Sequence, residues 1–132
     1  MARPSRSFPL ATLFSALADP TRLRLLNLMA GREVCVCFFV QVLKQPQPKI
    51  SRHLAYLRKA GIVSSRREGK WMHYSILRPA DRATCAILDA ALNSCNDSPQ
   101  MRSDLSRLGA ATCEPQRFVT LQGAPLPTRV PS

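Results

Sequence analysis

Near Gly61 the apolar period of the chain changes from that of a helix to that of a strand, and this change constrains the fold more than any other feature. Before it, Ile50, Leu54 and Leu57 recur at helical spacing in a segment that opens at Pro48, a residue suited to a first helical turn, and runs to Ala60. After it, residues 62 to 67 and 70 to 76 are rich in β-branched and aromatic side chains and flank the turn Glu68-Gly69, the pattern of a β-hairpin. Upstream, Lys44-Gln45-Pro46-Gln47 is a tight break that separates this helix from a shorter apolar one over residues 33 to 43. Asp19-Pro20 reads as an N-cap followed by proline at the first helical position, opening a helix that Gly31 ends. Leu10, Leu13, Phe14 and Leu17 form the stripe of an amphipathic helix before it. A long helix from near Pro79 to about Asn93 carries Leu88, Ala91, Leu92 and Cys95 on one stripe, and residues 98 to 108 add a turn or two.

The order ααααββα, mainly helical with one hairpin, is that of a winged helix-turn-helix. We expect one domain over residues 8 to 108 that binds DNA and dimerises, preceded by a basic arm without structure over residues 1 to 7. Prolines 115, 125, 127 and 131 predict a loose tail over residues 109 to 132. The basic start and the apolar run to Ala18 imitate a signal peptide. Pro9, Thr12 and Ser15 interrupt that run, and Asp19-Pro20-Thr21 opens a new helix at once, so a cytoplasmic chain is expected. No run approaches the roughly 18 apolar residues that span a bilayer, which argues against a membrane partner.

Charge points to the partner. Nineteen Lys and Arg against eight Asp and Glu leave a net charge of +11, a field that attracts polyanions. Residues 44 to 78 hold nine of the cations and one acid. On a helical wheel Lys49, Arg52, His53 and Tyr56 share a face next to the apolar one, as a helix lying in the major groove of double-stranded DNA requires. Gln47 and Ser51, at its N-terminus, suit phosphate contacts. Arg66, Arg67 and Lys70 stand at the hairpin tip, within reach of the adjacent minor groove. One small reading head covers a half-site, so a homodimer on a palindromic operator is expected, with the first and last helices as its interface.

Five cysteines cannot all pair, so free thiols or soft-metal ligands are expected. Cys35-Val36-Cys37 is the feature that suggests chemistry, because thiolates select soft acceptors such as arsenite, antimonite, zinc or copper(I). Nothing in the sequence suggests an enzyme: there is no phosphate loop, no paired-carboxylate setting and no Cys-x-x-Cys redox pair.

Four stretches in order, residues 17 to 26, 33 to 37, 47 to 54 and 66 to 71, resemble the arsenical-resistance repressor (ArsR/SmtB) family. The resemblance implies a homodimeric winged helix that represses a detoxification operon until a metalloid binds its cysteines. It assigns Cys35 and Cys37 as inducer thiolates, and it places Lys49, Ser51, Arg52 and His53 on the recognition helix. The inducer is then trivalent arsenic, as As(III) or methylarsenite, or Sb(III). Zn ranks lower, because the last helix lacks the Asp and His pairing of zinc-sensing members.

The sequence departs from the family where it matters. Members that bind inorganic arsenite through this helix carry a third cysteine where Val40 stands here, and Phe38 replaces an acidic residue. Cys95 or Cys113, from the same or the other subunit, would complete the site, or form a second dithiol; alternatively, two thiols suffice for a methylated arsenical, or the site lies elsewhere. Two residues apart on an intact helix point about 200° from one another, so binding by Cys35 and Cys37 is expected to unwind the third helix. The competing readings are a regulator whose thiols are oxidised rather than metallated, and a metal-blind DNA-binding protein whose cysteines only pack.

Overall fold

The structure is a computed structural model that describes residues 10–130. The expected basic arm, residues 1 to 7, lies outside the described residues. Two helices, α1 (Leu10–Leu17) and α2 (Pro20–Met29), lead into a short strand β1 (Arg32–Cys35). The helix-turn-helix follows as α3 (Val36–Leu43) and α4 (Gln47–Lys59), and the wing as β2 (Val63–Glu68) and β3 (Trp71–Ile76). The chain continues as α5 (Arg82–Cys95), α6 (Pro99–Cys113), two 3-10 turns and a last strand β4 (Thr128–Arg129). The four strands form one antiparallel sheet in the order β2-β3-β1-β4.

Local chemistry sets the helix ends. The Asp19 carboxylate accepts the Arg22 amide at 3.0 Å, with Pro20 in the first turn of α2. Asp81 and Ser98 cap α5 and α6 in the same way. Gly61 takes φ +80 and lets the Ile62 amide reach back to the Leu57 carbonyl at 3.0 Å, turning α4 into the wing. Leu25, Leu26, Leu28 and Met29 of α2, Phe38 and Phe39 of α3, and Ile50, Leu54 and Leu57 of α4 are fully buried, so α2, α3 and α4 together supply most of the largest buried side chains.

Three expectations are corrected. Residues 32 to 35 are strand and a short strand follows α6, so the order is ααβααββααβ rather than ααααββα. The cause is tertiary: Val34 and Cys35 pair with Tyr74 and His73 of β3, and that ladder overrides the helical stripe. The turn or two after Ser98 is a helix of 15 residues, α6, packed on α2 and α3. Residues 109 to 130, expected to be loose, complete α6 and then fold back over the domain, with Ala111 and Leu121 buried and the Val130 amide bonded to the Gly31 carbonyl at 3.1 Å.

One buried carboxylate fastens α6 in place. Asp104 has no exposed surface and accepts from Arg24 Nε at 2.7 Å and Nη2 at 3.0 Å, from Gln100 at 3.0 Å and from Arg107 at 3.0 Å. Removing one partner of such a pair strands the other charge, whereas replacing both with apolar groups is often neutral. Asp104→Ala is therefore expected to lower stability by about 3 kcal/mol or more in urea unfolding, and Arg24→Met with Asp104→Leu to recover most of that loss.

Candidate thiol site and nucleic-acid interface

Cys35 ends β1 with extended geometry, φ −74 and ψ 145, and is the N-cap of α3; Cys37 lies in the first turn of that helix. The extended residue swings its side chain toward the helix start, and the two sulfurs lie 3.2 Å apart. The expected unwinding of an intact helix is thus unnecessary, because no intact helix joins the two residues. The Cys37 thiol donates to Cys35 Sγ, and this hydrogen bond, with the amides of Cys37 and Val36 at the helix start, pulls the Cys35 thiol down to about 6 against its burial. Cys37 moves the opposite way, held protonated by the bond it donates and by burial. Near neutral pH the bond therefore favours a thiolate on Cys35 and a thiol on Cys37.

The thiols line a groove of about 520 Å³. Its other walls come from distant parts of the chain: Gln47 and Ser51 from the first turns of α4, Lys70 and Trp71 from the wing, and Thr120 from the segment after α6. No histidine or carboxylate lines it, and among the described residues no cluster of three metal-ligating side chains exists. The remaining cysteines stand elsewhere. Cys95 is buried at the end of α5, beside Leu17, Leu23 and Met101. Cys113 is exposed at the end of α6, in a separate groove with Arg32. Cys85 is half-buried and accepts from Arg78 at 3.2 Å.

The face shared on the wheel by Lys49, Arg52, His53 and Tyr56 is divided in space. The Arg22 guanidinium lies 4.1 Å from the centre of the Tyr56 ring, reaches to 3.4 Å from His53 Nδ1, and donates to the carbonyls of Ala16 and Ser15 at 3.0 and 2.9 Å. Burial, with the charges of Arg22, Lys49 and Arg52, lowers the His53 pKa despite Asp19 nearby, which favours the neutral ring beside Arg22. Gln47, Ser51, Arg52 and Tyr56 are exposed, joined by Ala55, Arg58 and Lys59, which the wheel did not single out. Lys49 is half-buried. On the wing, Arg66 is tied to Glu33 of β1 by bonds of 2.7 and 3.2 Å, while Arg67 and Lys70 stand exposed at the tip, the Lys70 ammonium 5.0 Å from the Trp71 ring. His73 is buried against Glu68, with its Nε2 at 2.8 Å from Oε1, a packed strand residue.

The family profile described as bacterial regulatory protein, arsR family, matches residues 19–65, from the cap of α2 into the wing. Over 80 residues the chain is 52% identical to an uncharacterised HTH-type transcriptional regulator of Methanocaldococcus jannaschii, covering 60% of this chain and 90% of that one. It is 45% identical over 80 residues to the arsenical resistance operon repressor of Escherichia coli, covering 60% and 68%. The chain belongs to the arsR family. As an arsR-family protein it is a DNA-binding transcriptional repressor of winged-helix type, and the family is one of regulators rather than enzymes. Among solved structures, HlyU from Vibrio cholerae has a TM-score of 0.56 at 26% identity, covering 64% of this arsR-family chain and 88% of its own. No helix among the described residues is long and apolar enough to cross a membrane.

The bond between the thiols makes a test. Alkylation of the thiol pair by iodoacetamide should rise with pH at a midpoint below that of a free thiol, because the bond from Cys37 stabilises the Cys35 thiolate. Cys37→Ala should move that midpoint upward toward the free-thiol value of about 8.5. Peptide mass mapping across a pH series would read both.

Proposed function

We propose that this repressor is metalloid-responsive: a homodimer that holds a palindromic operator in the cytoplasm and lets go when a trivalent arsenical or antimonite binds Cys35 and Cys37. One observation carries the reading. The two sulfurs 3.2 Å apart open into the same groove as Gln47, Ser51 and Lys70, three of the residues expected to meet DNA. The arsenical resistance operon repressor of Escherichia coli, similar over 80 residues, points to the same class of inducer.

The Cys35 thiolate is the nucleophile. Each S–As bond forms as one As–OH bond breaks, the hydroxide leaves as water with a proton from the thiol or solvent, and arsenic stays trivalent. Two positions on arsenic are then filled by sulfur and the third keeps its hydroxyl or methyl group. Zinc fits poorly, because it prefers four ligands and the groove offers two thiols beside an ammonium. An occupant of the groove stands against the start of α4 and the base of the wing tip, so it biases the position of both reading elements. Taking the operator complex from 99:1 bound to 1:99 requires the inducer to favour the released form by about 5.5 kcal/mol.

For the DNA contacts, Gln47, Ser51 and Arg52 face the groove of the duplex from α4, with Lys49 at their flank and Arg67 and Lys70 reaching from the wing. His53 and Tyr56 act through Arg22, which fixes the end of α1 to the recognition helix. Leu10 and Phe14 of α1 are about half exposed, 50% and 51%, and form with α5 the dimer surface.

Fluorescence anisotropy of labelled operator DNA under reducing conditions, titrated separately with arsenite, methylarsenite, antimonite and zinc, tests this. The metalloids should release the DNA. Cys35→Ser with Cys37→Ser should bind the operator as the parent does and no longer respond. If the double variant is still released, the inducer site lies elsewhere, and if peroxide alone releases the parent, the thiols act by oxidation.

A further inference from the structure

The thiol groove has one wall that the winged helix does not supply. After α6 the chain turns back through Pro115–Arg117 and Val119–Leu121 to β4, forming a strap over the site. The Thr120 hydroxyl donates to Gln41 of α3 at 2.6 Å, and Leu121 is buried. Gly123 lies against the indole of Trp71, where an added Cβ would stand 4.0 Å from the ring. Arg129 and Thr128 pair with Arg32 and Glu33 of β1. The strap therefore grips the strand that ends at Cys35 and the helix that starts beside it, and it presents Thr120 to the groove.

Valence and volume then constrain the occupant. Trivalent arsenic makes three bonds, and this groove holds two thiols; Cys85, Cys95 and Cys113 line none of it. Besides the thiols, the lining includes Val40, Trp71 and Met72 from the domain and Thr120 from the strap. A hydroxyl there, with a volume near that of a water molecule, about 30 Å³, leaves most of a 520 Å³ groove to solvent and gains nothing from an indole and a thioether. A flat apolar group gains contact with both. The lining carries one cation and no acid, which suits a neutral dihydroxyarsine.

We propose that this site is built for a trivalent arsenical bearing one aryl group, with the ring held between Trp71 and the strap at Thr120. The proposal rests on Cys35 and Cys37 being the inducer thiolates. Binding replaces the two As–OH groups by two As–S bonds and releases two waters, with the aryl–As bond intact and no change of oxidation state.

Trp71 is the single tryptophan, so its fluorescence reports the groove directly. The full chain would be titrated with phenylarsine oxide and with methylarsenite, which present the same two exchangeable positions and differ only in the organic group. We expect the phenyl compound to bind about tenfold tighter or more, the discrimination that an apolar pocket gives to extra carbon. Thr120→Phe, which fills the strap side, should erase most of that preference, with phenylarsine oxide binding falling by more than methylarsenite binding. Thr120→Val, which removes only the bond to Gln41, should keep the preference. Equal binding of the two arsenicals by the parent chain, or an equal loss of both in Thr120→Phe, would overturn the aryl site while leaving the thiol reading intact. Undiminished binding of both by Cys35→Ser with Cys37→Ser would overturn both readings together.

Discussion

Four residues of extended chain, Arg32 to Cys35, hold the thiol pair and the helix-turn-helix in one frame. On one edge β1 pairs with β3 and so anchors the wing, a link that Glu33 doubles by binding Arg66 of β2. On its other edge it pairs with β4 and so anchors the strap. At its end the backbone passes from strand to helix within one residue, and that change of direction brings two sulfurs together that a continuous helix would hold apart. The same junction aims the first amides of α3 at Cys35, so one piece of backbone geometry sets both the spacing of the thiols and the charge of one of them.

The acids of the chain are nearly all engaged inside the fold. Asp19 and Asp81 cap helices, Glu33 and Glu68 bind within the sheet, Asp89 binds Arg78, Asp104 binds Arg24, and Glu114 binds Arg117. Among the described residues, no carboxylate stands within ion-pair distance of Lys49, Arg52, Lys59, Arg67 or Lys70. The excess of positive charge is thus concentrated by pairing as well as by composition. The helix-turn-helix and the wing tip carry the uncompensated part of it, which is the part a phosphate backbone meets.

The elements legible in the sequence were those whose signals are local. Asp19-Pro20 is its own cap, Ile50, Leu54 and Leu57 are one turn apart, and the wing strands flank their turn directly. β1 was not legible, because Glu33 to Val36 fits a helical stripe equally well and the deciding partners, His73 and Tyr74, lie in another element. α6 and the strap were obscured by proline and polar residues that read as coil, while a few buried anchors, Leu108, Ala111 and Leu121, order them. At the site, the Cys-x-Cys pair was visible but its groove was not, since Gln47, Trp71 and Thr120 come from three distant segments. Arg22 escaped notice for a related reason: a wheel drawn for α4 cannot show what α2 lays across it.

The pairing of β4 with β1 joins two segments separated by most of the described chain. Contacts this distant form late, because the loop between them must close first. During synthesis α2, α3 and α4 leave the ribosome well before Thr120 and β4. A nascent repressor can therefore pack its helix-turn-helix before it acquires the last wall of its thiol groove.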